Sequence, residues 1–327
     1  TAGNRLFTNI SGAYVLQNQS SGKSWNAAFS LEKPYSKGFY GKLGYSYGES
    51  KNLFDPGSIA SGSWTGNQHY GDPNNPAMGF SQYSPGHRFF GTASYYIDYF
   101  KFGATSVSAF LESRTWGNTS YVFSGDINGD ASTNNDLIYI PRDASEMNFQ
   151  AYCINALNGS AIPCNTTPSA TVQPKTFSVA DQQAAFENFI SSDTYLSKHR
   201  GEYAQRNAAF LKMVTRVDLS VRQEVYFRTF GRKHRFQLSG TVLNFGNLLN
   251  KNWGTGISFA ANQILVPCSA TGSVILPTTC TTGADQTGKT YYRLRNSGAN
   301  LISEPYLKTA NLGDVYRIQL GVKYIFD

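Results

Sequence analysis

The stretch VYRIQLGVKYIF, Val315 to Phe326, decides how this chain is read, because apolar and polar residues alternate along it without a break. In an extended strand, Tyr316, Ile318, Leu320, Val322, Tyr324 and Phe326 share one face, while Arg317, Gln319, Gly321 and Lys323 share the other. Such a strand fits a sheet lying over an ordinary core, or a barrel wall with lipid on one side and water on the other. Period two alone does not choose between them.

The same period recurs upstream. Arg216 to Arg228 (RVDLSVRQEVYFR) sets Val217, Leu219, Val221, Val225 and Phe227 against Arg216, Asp218, Ser220, Arg222, Glu224 and Arg228. Arg235 to Phe245 opposes Phe236, Leu238 and Val242 to Arg235, Gln237, Ser239 and Thr241. Further segments follow toward the N-terminus: Phe102 to Arg114, where alternation is weaker, then His87 to Tyr99, Phe39 to Tyr47, Ser24 to Lys33 and Leu6 to Gln17. Eight strands are therefore predicted. Their links are lopsided, with short ones near 34–38, 99–101 and 230–233 and long ones over about 51–85, 118–213 and 247–313. Tight turns on one side and long loops on the other are the habit of outer-membrane barrels. A soluble sandwich could alternate too, but its polar faces would meet bulk water and would not need one-sided loops.

Composition points the same way. Of 327 residues, 14% are aromatic, 31 are Gly and only 15% are charged, against roughly a quarter charged in ordinary soluble domains. No apolar run approaches the roughly 20 residues of a membrane helix, which excludes a helical membrane protein and leaves a strand-built one open. The start, TAGNRLFTN, has neither the basic nor the apolar region of a secretory signal, so a removed signal or a piece of a longer chain is expected. The formal net charge of +7 is spread rather than massed, and no nucleic-acid-binding signature accompanies it; nucleic acid is not an expected partner.

The long links carry their own signals. Cys153 with Cys164, and Cys268 with Cys280, form two local pairs in polar segments, spaced too widely for CxxC-type zinc sites, so two short-loop disulfides in an oxidising compartment are expected. Ser178 followed by Asp181 opens a short surface helix over Val179 to Ile190. The run Asp126, Asn128, Asp130, Ser132, Asn134 offers oxygen donors at alternate positions, with Asp136 beyond, as in a loop that wraps calcium. It lacks the sharp-turn Gly, where Ala131 stands, and the bidentate Glu, where Leu137 stands. An Asx-rich turn bonding its own backbone is the alternative. The four histidines, His69, His87, His199 and His234, are scattered, and no HExxH, GxSxG or P-loop occurs, so no enzyme activity is expected.

LNFGNLLNKNWG (243–254), the preceding RVDLSVRQEV and the closing YRIQLGVKYIF resemble the C-terminal end of TonB-dependent outer-membrane receptors. GDINGDASTNNDLIYIP (125–141) and RGEYAQRNAAF (200–210) narrow the resemblance to the Oar-like subgroup, which carries a carboxypeptidase-regulatory-like domain before the plug. The resemblance implies a barrel of 22 strands in a Gram-negative outer membrane, closed by an N-terminal plug and energised by the TonB complex through an N-terminal box. Neither plug nor box is present, so residues 1–327 would form the last eight strands of the barrel, partnered by its N-terminal strands, its plug, lipid and an unidentified substrate. Arg216, Asp218, Arg222, Glu224, Arg228, Arg235, Arg317 and Lys323 would then face the lumen, as a salt-bridge ladder or as contacts for plug or substrate. Tyr324 and Phe326 would belong to an aromatic girdle or an assembly signal. Calcium is the one cofactor the residues suggest. The function implied is transport of a large substrate; a surface binding or adhesion barrel, and a small eight-stranded structural barrel, are the alternatives.

Overall fold

Each strongly alternating segment forms a long strand in the computed structural model, which describes residues 9–10, 12–15, 17–57, 59–99, 102–130, 132–268 and 290–326. The strands are β1 Lys23–Ser36, β2 Phe39–Asn52, β3 Gly86–Tyr99, β4 Gly103–Thr115, β5 Met213–Thr229, β6 Arg232–Leu243 and β7 Arg317–Phe326. They pair in sequence order, every neighbour antiparallel, so the chain is a meander folded mostly as antiparallel β. A two-residue strand, Gly79–Phe80, adds to the end of β2 and brings the sheet to eight members. The expected first strand corrects here: none of the described residues of Leu6 to Gln17 lies in a strand. β1 and β7 each have one neighbour and do not pair with each other, so among the described residues the sheet is open.

Three connections are tight and three are long, on opposite ends of the sheet as a meander requires. Between β1 and β2 the turn residues Lys37 and Gly38 have φ of 53° and 82°, the left-handed pair of a type I′ hairpin turn that suits the twist of the flanking strands. Gly38 is required: a Cβ there would stand 2.4 Å from the Tyr96 carbonyl oxygen. Phe230 and Gly231, with φ of 50° and 76°, repeat this turn between β5 and β6. Of the third short link, Phe100 and Lys101 lie outside the described residues.

The packed core lies within the long connections, not beneath the sheet. Tyr121, Ile138, Ile140, Phe186, Phe189, Ile190, Leu196, Ile264, Leu265 and Leu294 are almost wholly buried against one another. The helix runs Val179–Ser192, capped as expected: Ser178 Oγ accepts from the Asp181 N–H at 3.1 Å, and Asp181 Oδ2 accepts from the Ser178 N–H at 2.9 Å. It is not a surface helix, however. Gln182, Phe186, Phe189 and Ile190, on one 3.6-residue stripe, are buried, and the helix is a wall of this core. Gln182 is satisfied at both ends, donating to the Gln150 carbonyl at 2.8 Å and accepting from the Leu294 N–H at 2.9 Å. Tyr121 donates to Asp193 Oδ2 at 2.7 Å, with Tyr306 donating to the same oxygen at 3.0 Å. Burial, then the neighbouring Asp193 carboxylate, pushes the Tyr121 phenol far above its usual range. Cys153 and Cys164 form the expected disulfide. Cys280, the expected partner of Cys268, lies outside the described residues. What the spacing presents as decorated loops is thus a globule with its own core.

Candidate functional site

Strand register carries each side chain to one of two chemically distinct faces. On one face Leu31, Leu43, Gly91, Leu111 and Val217 form a row across five strands, and Phe39, Tyr95, Val107, Val221, Gly240 and Leu320 a row across six. This apolar face is uncovered: Leu31 is 62% exposed, Leu43 53%, Leu320 82% and Val322 73%. Monomeric soluble proteins rarely leave so broad a contiguous apolar surface open. Aromatic rings edge it. Toward the long connections Trp25 meets Tyr47 at 5.4 Å between ring centroids, and Tyr45 Oη lies 2.8 Å from His87 Nδ1. Toward the short turns Phe227, Phe236, Tyr324 and Phe326 stack in succession, with Phe236 and Tyr324 at 4.7 Å. In β2, Tyr47 and Phe39 are eight residues apart, about 27 Å along a strand.

The opposite face is polar. Tyr40, Ser94, Ser108, Ser220, Thr241 and Gln319 form one row across it. Glu32 pairs with Lys42 at 3.0 Å and Arg88 with Glu112 at 2.8 Å. All eight ionisable residues singled out above, Arg216, Asp218, Arg222, Glu224, Arg228, Arg235, Arg317 and Lys323, lie on this face by register. They do not form a ladder along β5. Glu224 accepts from the Tyr226 hydroxyl at 2.8 Å and pairs with Arg235 across the strands at 3.5 Å. Arg222, Arg228, Arg317 and Lys323 form no ion pair among the described residues.

Arg216 and Asp218 have turned to another task, which explains the LNFGNLLNKNWG motif. Asn244, left-handed at φ 51°, donates its N–H to Asp218 Oδ1 at 2.7 Å and its Nδ2 to the carbonyls of Gly254 at 3.2 Å and Gly313 at 3.3 Å. Arg216 donates to the Gly254 carbonyl at 3.0 Å and to Asp314 Oδ1 at 2.8 Å, its guanidinium lying over Trp116. Together these bonds tie the start and end of the last long connection to β5. Burial would raise the Asp314 carboxyl, but hydrogen bonds from Thr309, Asn311 and Gly256, with Arg216 beside it, outweigh burial and hold it below the usual carboxylate range.

The Asp-rich loop folds as an Asx-rich turn, one of the two readings its sequence allows. It is laced by its own backbone: Gly129 donates to Asp126 Oδ1 at 2.7 Å, Asp130 to Asn128 Oδ1 at 2.9 Å, Ser132 to Asp130 Oδ1 at 2.7 Å and Gly125 to Asn134 Oδ1 at 2.9 Å. Asp136 Oδ2 accepts from the Ile127 N–H at 2.7 Å. Asp126, Asn128 and Asn134 therefore serve the turn. Asp130 and Asp136 come together with His69, one of the four scattered histidines, their nearest ligand atoms lying within 4.8 Å of one another. His69 stands 61 residues before Asp130 in a polar loop, and no spacing announces it. It arrives by backbone pairing: its N–H donates to the Asn135 carbonyl at 2.9 Å, and its carbonyl accepts from Leu137 at 2.9 Å. Burial, partly offset by the Ile127 and Asn128 N–H groups, raises the Asp136 carboxyl, and the nearby Asp130 and Asp126 add to the rise.

Comparisons with protein-family models, with curated proteins and with solved structures found no match.

Proposed function

We infer that this chain is a stretch of wall from an outer-membrane β-barrel receptor of the TonB-dependent, Oar-like kind. Its apolar face would stand in lipid and its polar face beside an aqueous passage for a large substrate. One observation carries this reading: an apolar face, continuous in register over seven strands, is left open and edged by aromatic rings at both ends. In water that face would be a liability; in a bilayer it is the side the solvent prefers. The spacing of the aromatic bands suits the reading, since strands tilted by roughly 40° would set them about 21 Å apart along the membrane normal, within the ~25 Å height of an outer-membrane apolar band. The unpaired edges of β1 and β7 would continue into the remaining strands of the barrel, since an open edge has no stable place in hydrocarbon. Among the described residues β1 and β7 do not pair, which gives the small closed barrel no support there. Arg222, Arg228, Arg317 and Lys323, without ion-pair partners among the described residues, would meet plug or substrate, and the globule would stand outside the cell.

Cysteine labelling tests this in the full-length protein made in a Gram-negative host. Leu157→Cys, exposed on the globule, should react with a membrane-impermeant maleimide on intact cells. Leu31→Cys should stay unlabelled in isolated outer membranes until detergent is added, while Lys42→Cys on the polar face reacts in membranes opened from either side. A protein recovered in the soluble fraction, or Leu31→Cys reacting as fast as Leu157→Cys, refutes the reading.

A further inference from the structure

We propose that His69, Asp130 and Asp136 bind a divalent first-row transition metal of the zinc kind, with Ser132 Oγ as a further oxygen ligand, so that the metal clasps the first long connection to the second. This does not depend on where the sheet resides.

The imidazole carries the argument. His69 is 3% exposed, and its Nδ1 lies 3.0 Å from the Asn67 carbonyl oxygen, which can only accept. Nδ1 donates to that carbonyl, which leaves Nε2 as the ring nitrogen that faces Asp130 Oδ2, 3.3 Å away. A histidine fixed by an Nδ1–H bond to a backbone carbonyl, its other nitrogen facing carboxylates, is the usual posture of a metal ligand. A tetrahedral ion held at roughly 2.0–2.1 Å keeps its ligand atoms about 3.3 Å apart, the separation of His69 Nε2 from Asp130 Oδ2, and Asp136 brings a carboxylate oxygen within 4.8 Å of both. The donor that reaches His69 Nε2 and Asp130 Oδ2, Asn128 Nδ2, is 3.3 Å from each, at the weak end of hydrogen bonding, and it cannot be flipped because Asn128 Oδ1 already accepts from Asp130.

A second observation is independent of the acids. Ser132 is 4% exposed, its N–H is fixed on Asp130 Oδ1, and its buried Oγ has no hydrogen-bond partner among the described residues. Buried hydroxyls without partners are uncommon and ask for an explanation, which a bound cation supplies. Donor type selects the metal. Calcium takes six to eight oxygens, and this loop has no bidentate Glu and offers a nitrogen in its place. Imidazole with carboxylates suits zinc and its neighbours.

The test uses the full-length protein, stripped with a chelator and titrated with zinc chloride, calcium chloride or magnesium chloride alone, while heat flow and the unfolding midpoint are followed. One equivalent of zinc should bind and raise the midpoint, calcium should do so far less, and X-ray absorption at the zinc edge should show imidazole in the first coordination shell. His69→Gln and the isosteric Asp130→Asn should each weaken zinc by about tenfold or more, with circular dichroism unchanged. Ser132→Ala should weaken it by a smaller factor. Zinc that fails to bind the wild-type protein, zinc affinity unmoved in both folded variants, or binding confined to calcium and indifferent to His69→Gln would each overturn the proposal.

Discussion

Replacing Leu43 by arginine separates a lipid-facing sheet from a water-facing one by a wide margin. Leu43 lies midway along β2 between the ring of Phe39 and that of Tyr47, four residues from each, or about 14 Å along the strand. Its neighbours in register are Leu31 and Gly91, so an arginine there finds no carboxylate across the strand. In hydrocarbon at that depth the charge costs about 2–4 kcal/mol, a roughly 30- to 900-fold loss in the ratio of folded to unfolded protein. In water the same change on a half-exposed position would stay within about 0.5 kcal/mol. Gln319→Arg, on the polar face of β7, is the matched control and should stay within about 0.5 kcal/mol in either case. Denaturant titration of the full-length protein folded into vesicles gives both numbers, and the yield of protein in the outer membrane gives an in-cell counterpart. Equal costs for Leu43→Arg and Gln319→Arg would mean the two faces meet the same solvent, and the assignment of lipid to one of them would fall.

Three further outcomes concern the globule. Changing Cys153 and Cys164 together to serine should destabilise it by roughly 3 kcal/mol, the loop-closure value for a bridge spanning 11 residues, read as faster limited proteolysis between residues 150 and 177 while the sheet is untouched. Ser178→Ala should cost about 1 kcal/mol by removing the acceptor for the Asp181 N–H, seen as faster hydrogen exchange in the first turn of the helix Val179–Ser192. Asp314 sets an acid limit on the last connection. Its carboxyl is held below the ordinary range when folded, so the unfolded chain binds the proton more readily; the stabilisation is complete above the unfolded value near ~4 and is lost as pH falls through the folded one. Trp253 fluorescence should report loosening over that acid range, and Asp314→Asn should be loose already at neutral pH and lose this part of the acid dependence.

The sheet was legible because its information is local: alternation in RVDLSVRQEVYFR or YRIQLGVKYIF assigns each side chain to a face without knowledge of any partner, and register then aligns faces across the strands. The short turns were legible for the same reason. Leu6 to Gln17 misled because its alternation is broken by glycine and polar residues and it gains no neighbour to pair with among the described residues. The globule was hidden because its core draws on Tyr121, Phe186, Ile264 and Leu294, isolated apolar residues in stretches whose average is polar. His69 was hidden more deeply. Its meeting with Asp130 depends on a bridge of backbone bonds between two connections, which no spacing within either connection encodes. The partners of Arg216 and Asp218 were hidden because Asp314 and Asn244 lie beyond the strand on which they sit.

The globule's core has a consequence for biogenesis. Ile264, Leu265 and Leu294, all wholly buried, come from the last connection, whereas Tyr121 and Phe186 come from the one before it. A chain delivered N-terminus first cannot close this core until residues near 300 have arrived, and such distant pairings form slowly. The globule would therefore be the last part to set, maturing only after six of the seven long strands are in hand, and an incompletely delivered chain would betray itself by an unset, protease-sensitive globule.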